Sequence, residues 1–166
     1  MKKTLLALAL MGVSATAAAD SWIYGGVSVG QADLGGETAT SMNIHAGTGI
    51  LPFIGLEAGY QNHGDFDNVN YGVFQSIDLE ASSVYFAVKP SLDLGPLHLY
   101  GKAGLHSYDL KGQNNSFLED EIDTMYGIGA EYSIMGPFTV GASYSVFSMK
   151  EEDIKNFSLN ATFHFL

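Results

Sequence analysis

Phe157-Ser158-Leu159-Asn160-Ala161-Thr162-Phe163-His164-Phe165 alternates apolar and polar side chains at every step. A strand has a side-chain period of two, so this stretch carries one apolar and one polar face. The same alternation recurs backwards along the chain. Phe138, Val140, Ala142, Tyr144 and Val146 alternate with Thr139, Gly141, Ser143 and Ser145. Tyr126, Ile128, Ala130, Tyr132 and Ile134 alternate with Met125, Gly127, Gly129, Glu131 and Ser133. Leu97, Leu99, Gly101, Ala103 and Leu105 alternate with His98, Tyr100, Lys102, Gly104 and His106. Ile54, Leu56, Ala58 and Tyr60 alternate with Gly55, Glu57, Gly59 and Gln61.

Eight such segments are expected, near 22–31, 40–50, 54–63, 82–92, 97–109, 121–134, 138–148 and 156–166. The first has the weakest phase, and Ile23, Gly25, Val27 and Val29 are assigned to its outer face. Alternation alone also fits a soluble sandwich. Length favours a membrane: most segments run ten residues or more, soluble strands average about five to six, and a tilted membrane strand needs roughly nine to eleven.

The connections alternate as well. Leu51-Pro52-Phe53, Leu94-Gly95-Pro96 and Met135-Gly136-Pro137 are tight turns, and their prolines recur 44 and 41 residues apart. Longer polar connections are expected near 32–39, 64–81, 110–120 and 149–155. Short turns on one side and long loops on the other are the pattern of an outer-membrane barrel, with the short turns periplasmic. The fold expected is therefore all-β, an eight-stranded antiparallel up-and-down transmembrane β-barrel. Trp22, Tyr60, Tyr126, Tyr132, Phe138, Phe163 and Phe165 lie mostly near segment ends, which suits interfacial girdles; aromatics in a soluble β-core are the bland alternative.

The barrel is expected to follow a cleavable signal peptide. Lys2 and Lys3 precede the apolar run Leu5 to Val13, and Ala17-Ala18-Ala19 offers a small-residue cleavage site. This divides the chain into a signal peptide, 1–19, and a barrel, 20–166. The whole chain has a formal charge of −11. Cleavage removes two lysines and leaves five against 18 carboxylates, so the charge becomes −13. Such a surface repels nucleic acid and polyanions. There is no cysteine, so stability must come from packing or from a closed hydrogen-bonded sheet.

With these residues in place, the chain resembles the small outer-membrane β-barrels that include the transmembrane domain of OmpA and, more distantly, OmpX. The resemblance rests on Gly55-Leu56-Glu57-Ala58-Gly59-Tyr60, Tyr100-Gly101-Lys102-Ala103-Gly104, Gly127-Ile128-Gly129-Ala130-Glu131-Tyr132 and Ser158–Phe165, and covers nearly all of residues 20–166. It implies an outer-membrane location, lipid and lipopolysaccharide as surroundings, passage through the outer-membrane assembly machinery, and no cofactor. OmpA-type proteins also carry a peptidoglycan-binding domain, which is not expected here because the chain stops at the last strand. Two departures stand out. Gly141 occupies the position where the OmpA-like pattern brings a cation into the lumen, so a smaller charge network is expected. Leu166 follows the aromatic residue on which family members usually end.

The polar phase places four charges in the lumen: Glu57, Lys89, Lys102 and Glu131, with His45 beside Glu57. At about 3.3 Å per residue and a tilt near 45° they stand roughly 10–16 Å above the turns, near mid-membrane. They are expected to form an arc of two anions and two cations, read as a structural plug rather than a gate. His98, His106 and His164 are read as satisfied interior residues, and no metal or catalytic site is expected. Ile128 is assigned to lipid and Gly129 to the lumen, so a serine at 129 is expected to cost less than a lysine at 128.

The loops are acidic: Asp33 and Glu37; Asp65, Asp67, Asp78 and Glu80; Glu119, Asp120 and Glu121; Glu151, Glu152 and Asp153. They could share the divalent cations that bridge lipopolysaccharide, although no twelve-residue calcium loop is present. The second loop, with Asn70, Tyr71, Val73, Phe74 and Ile77, reads as a contact surface or an extra hairpin. Three functions stay open. The first is a monomeric structural or surface-interaction protein without enzymatic activity. The second is a narrow, porin-like diffusion pore. The third is a lipid-modifying barrel enzyme, for which no nucleophile–base pair is visible: His106 and Ser107 fall on opposite faces.

Overall fold

The computed structural model describes residues 23–51, 53–71, 74–112 and 118–165. The expected signal peptide, Trp22, Pro52, Val73 and Leu166 lie outside these residues. Eight strands follow one another: β1 (Ile23–Leu34), β2 (Glu37–Leu51), β3 (Ile54–Tyr71), β4 (Phe74–Leu94), β5 (Leu97–Gly112), β6 (Leu118–Met135), β7 (Phe138–Phe147) and β8 (Ile154–Phe165). Each pairs with the next, and the ring closes between β8 and β1. That seam runs antiparallel without interruption from Ile23↔Phe165 to Leu34↔Ile154. Closure satisfies every strand edge, which a sheet in hydrocarbon requires. Leu94↔Leu97 and Met135↔Phe138 close the turns at Gly95-Pro96 and Gly136-Pro137.

Alternation sets the two faces. Val27, Ile44, Phe86, Leu105, Ile128 and Leu159 are exposed on the outside, while Asn43, Glu57, Ser83, Thr139 and Asn160 are buried inside. This is the reverse of a soluble core, and it places an apolar belt around a polar lumen. Phe138, Phe163 and Phe165 stack edge to face at 4.8 Å between successive ring centres on the outer surface near the turn end.

The strands run further than the expected segments at the end opposite the Gly-Pro turns. The 32–39 connection shrinks to Gly35-Gly36, and most of 64–81 is strand, with Gly64↔Ala81, Asp65↔Glu80 and Phe66↔Leu79 in register. The hairpin alternative for this loop therefore holds for its backbone, whereas the side chains of Asn70, Tyr71, Phe74 and Ile77 lie outside the described set. The physical reason for the short reading is that polarity inverts along the strands. Beyond Asn62 and Ser107 the outward residues become Asp65, Asp67, Asp109 and Lys111, all exposed. The inward ones become Ala32, Leu34, Phe66, Leu79, Ala81, Tyr108 and Leu110, all buried in one apolar cluster with Met125, Phe147, Met149 and Ile154. A search for apolar residues facing out ends where the bilayer ends. The ladder continues with a water-soluble pattern.

A β-bulge helps the switch in β3. The register shifts between Asn62 and Gly64, and Gly64 has φ +90° with its absent Cβ directed at the Thr40 carbonyl oxygen, 2.4 Å away. Before the bulge Glu57, Gln61 and His63 face in; after it Phe66 does.

Candidate functional site

The lumen is the candidate site, and it is filled in layers. At its centre is Glu57, fully buried. Lys102 Nζ donates to Glu57 Oε1 at 2.5 Å, and Lys89 Nζ lies 3.6 Å from Oε2. The Tyr85 hydroxyl donates to Oε1 at 2.8 Å and the Tyr24 hydroxyl to Oε2 at 3.0 Å. Lys89 also sits 4.3 Å from the ring centres of both Tyr24 and Tyr100. One carboxylate thus takes two cations and two phenols, and the aromatic faces hold the cationic charge that the carboxylate does not neutralise.

The three tyrosines fit because each faces a glycine. Tyr24 pairs with Gly47, Tyr85 with Gly59 and Tyr100 with Gly129 on the neighbouring strand. A Cβ at Gly47, Gly59 or Gly129 would stand 2.3, 2.7 or 2.4 Å from the tyrosine ring. The lumen glycines are the floor on which the rings lie, a large-against-small packing suited to a narrow barrel. A serine at Gly129 would therefore have to displace the Tyr100 ring, a cost that phase alone does not show.

Glu131 stands apart from the expected arc. It is buried and accepts from Thr162 Oγ1 at 3.1 Å and Thr139 Oγ1 at 3.5 Å. Among the described residues no ion pair reaches it. Its register partner on β7 is Gly141, where a Cβ would meet the Ala130 carbonyl oxygen at 2.1 Å. Strand β7 runs too close to β6 there for any side chain, cationic or not. His45 turns to Asn43, with Nδ1 2.8 Å from Oδ1, and meets Tyr24 edge-on at 6.4 Å. At the turn end His98 is hydrogen-bonded to Asp93, and His164 Nε2 lies 3.4 Å from Thr139 Oγ1.

Above Glu57 is a polar pocket of about 20 Å³, lined by Ser28, Asn43, Gln61, Lys102, Ser143 and Ser158 among others. That is room for one or two waters. Above the pocket, His63, Ser83, His106 and Asn156 join across the barrel, and the apolar cluster closes the outer end. The sequence reading missed Tyr24 and Tyr85 as ligands of Glu57, Tyr100 as the ring beneath Lys89, and His63. The signal was available for Tyr24, Tyr85 and Tyr100, since strand phase alone puts them in the lumen. His63 sits one residue before the bulge, where phase is about to break.

The sequence matches the family described as outer membrane protein beta-barrel domain over residues 4–165. No curated protein matches it. Among solved structures, Neisserial surface protein A (NspA) is similar, with a TM-score of 0.61 at 14% identity, covering 86% of this chain and 96% of that one. Ail, the attachment invasion locus protein of Yersinia pestis, solved in complex with the heparin analogue sucrose octasulfate, gives 0.57 at 16% identity, again over 86% and 96%. The N-terminal barrel domain of Pseudomonas aeruginosa OprF gives 0.54 at 15% identity, over 84% and 97%. At these identities the likeness is one of fold. The match over nearly the whole sequence, on a closed ring of eight strands with an apolar belt, means that the chain belongs to the outer membrane protein beta-barrel family and that its place is the bacterial outer membrane.

Proposed function

We propose that this protein is a non-enzymatic, monomeric outer-membrane barrel that acts structurally and through its outer rim, not as a conduit. The observation that carries this reading is the outer apolar cluster: Leu34, Phe66, Leu79, Tyr108, Leu110 and Ile154 are each almost wholly buried where a channel would open. A solute would have to displace a packed core and then pass Glu57 and its lysines. An eight-stranded ring has little width to spare for that. The same burial argues against the lipid-modifying alternative, since Ser83, the serine held between two imidazoles, lies beneath the cluster.

The rim itself is acidic, with Glu37, Asp65, Asp67, Glu80, Asp120 and Glu152 exposed. Ail was solved with a polysulfated ligand; a rim of carboxylates would repel one. The surface partner of this reading is neutral or cationic. Lipid and lipopolysaccharide meet the belt, and the assembly machinery meets the chain on its way in.

The test is conductance in planar bilayers, with surface binding measured beside it. The folded protein is expected to give no steady current. Its binding to cationic surfaces should fall when the exposed rim carboxylates Asp65, Asp67 and Glu80 are changed to their amides. A persistent open channel in the unaltered protein would overturn the reading in favour of a pore.

A further inference from the structure

We infer that the outer seal of the lumen is a proton-sensitive latch, built from His63, Ser83, His106 and Asn156. This rests on the reading of the outer end as closed, and it adds the condition under which it opens. The argument is one of donors and acceptors. His106 Nε2 lies 2.8 Å from the Ser148 carbonyl oxygen, which can only accept, so His106 Nε2 carries a hydrogen. With His106 neutral, its Nδ1 must accept, and the group facing it at 3.2 Å is the Ser83 hydroxyl. Ser83 Oγ then accepts from His63 Nε2 at 3.0 Å. That leaves His63 Nδ1 to accept from Asn156 Nδ2 at 3.0 Å. Every bond in the chain Asn156→His63→Ser83→His106→Ser148 runs one way, and the chain closes with both imidazoles neutral.

It crosses the barrel through β8, β3, β4, β5 and the start of the β7–β8 connection. Phe147, itself part of the apolar cluster, packs edge-on against His63 at 4.7 Å and His106 at 5.1 Å. A proton on either imidazole reverses one bond and puts a charge beneath that cluster. Around the pair, β4 offers Tyr85, whose hydroxyl is committed to Glu57. On β5 the ring of Tyr108 lies 5.5 Å from His106. Asp123 on β6, paired in register with His106, has its carboxylate engaged by Thr124 N at 2.7 Å. The described residues of β3, β7 and β8 turn no other ionisable group toward the latch. Asp123 offers His106 a partial counter-charge, but none of these groups forms an ion pair with either ring, so the new charge is relieved by letting water in, which means parting β7–β8 from the cap.

The sign follows from linkage. A group that is neutral when closed and free to charge when open makes opening easier as pH falls. With an ordinary imidazole value of about 6.5 in the open state, one histidine makes opening about thirtyfold more frequent at pH 5 than at pH 7.5.

The experiment is hydrogen exchange by NMR on the folded, full-length protein in lipid nanodiscs at pH 7.5 and pH 5, expressed as protection factors so that intrinsic exchange cancels. Amides near 63–66, 81–85, 106–110 and 154–156 should lose protection by tenfold or more at pH 5, while those around Glu57 keep theirs. The variant carrying His63→Asn and His106→Gln should lose the response, and His45→Asn should retain it. An unchanged outer end at pH 5, or a response that survives the double substitution, would overturn the latch. If the double variant does not fold, imidazole nitrogen spectra of the unaltered protein decide. Both rings neutral with hydrogen on Nε2 at pH 7.5, charging in step with the loss of protection, supports it; a charged ring under an intact cap refutes it. A steady current at pH 7.5 would instead sink the closed-barrel reading, independently of the latch.

Discussion

Replacing Lys102 by methionine is the sharpest test of how the lumen is held together. Lys102 Nζ is 2.5 Å from Glu57 Oε1 and Lys89 Nζ is 3.6 Å from Oε2. At an effective dielectric of 20 the gross attractions are roughly 7 and 5 kcal/mol. Most of that is offset by the cost of taking the charges out of water, and breaking one partner of a buried pair costs about 3–5 kcal/mol in practice. Lys102→Met leaves Glu57 with one more distant cation and two phenols, so about 4 kcal/mol is expected. Lys89→Met leaves the closer pair intact and should cost about 2–3 kcal/mol, part of it from lost contact with two tyrosine faces. Lys111 is exposed on the outer extension of β5, where a charge is worth about 0–1 kcal/mol. Urea unfolding in lipid vesicles, followed by far-ultraviolet circular dichroism, reads these differences. With a slope of about 2 kcal/mol per molar, Lys102→Met should lower the midpoint by about 2 M relative to Lys111→Met. A double-mutant cycle with Glu57→Gln should then show strong coupling to Lys102 and none to Lys111. Equal midpoints for the two single variants would refute the assignment of Glu57 as the hub.

The unboiled protein should migrate differently from the boiled one in detergent gels, because a ring without a free edge resists detergent; identical mobility would count against closure. Ile128, 68% exposed on the belt, should not tolerate lysine, at a cost of about 2–4 kcal/mol near the midplane. Ser143→Ala in the lumen should cost about 1 kcal/mol for its bond to Asn160 at 3.2 Å; equal midpoints would mean that β7 and β8 are out of register. Gly141→Ala drives a methyl group onto the Ala130 carbonyl and should cost about 1–3 kcal/mol in the same unfolding assay. A neutral result there would mean that β6 and β7 are further apart than described.

The bilayer-spanning half of the strands was legible because hydrocarbon demands a strict code. Between Ile54 and Tyr60, or Leu97 and Leu105, an outward polar residue or an inward apolar one would be costly, so the phase is clean and the lumen positions of Glu57 and Lys102 can be read from it. The outer third was not legible by the same rule. Ala32, Leu34, Tyr108 and Leu110 obey a water-facing code, and their apolar residues point the other way. The composition of the hub was half visible. Phase places Tyr24, Tyr85 and Tyr100 inside, but the grip of Tyr24 and Tyr85 on Glu57, and the seat of Tyr100 against Lys89, depend on the glycine opposite each ring, which is a matter of cross-strand register. The separation of Glu131 from the lysines is a matter of the β5–β6 register, which sets Glu131 opposite His98 and Lys102 opposite Gly127, and no local pattern encodes that.

The seam between Ile23–Leu34 and Ile154–Phe165 has a consequence for how such a molecule can be made. Its first strand finds its second neighbour only when the last has been synthesised and exported. A seven-strand intermediate would expose two bare edges, each lined with amides and carbonyls that lipid cannot solvate. The acidic outer ends of β3, β4 and β5 must also cross the membrane. The hairpins between sequence neighbours can pair early, but the ring itself is completed only in one late act of closure.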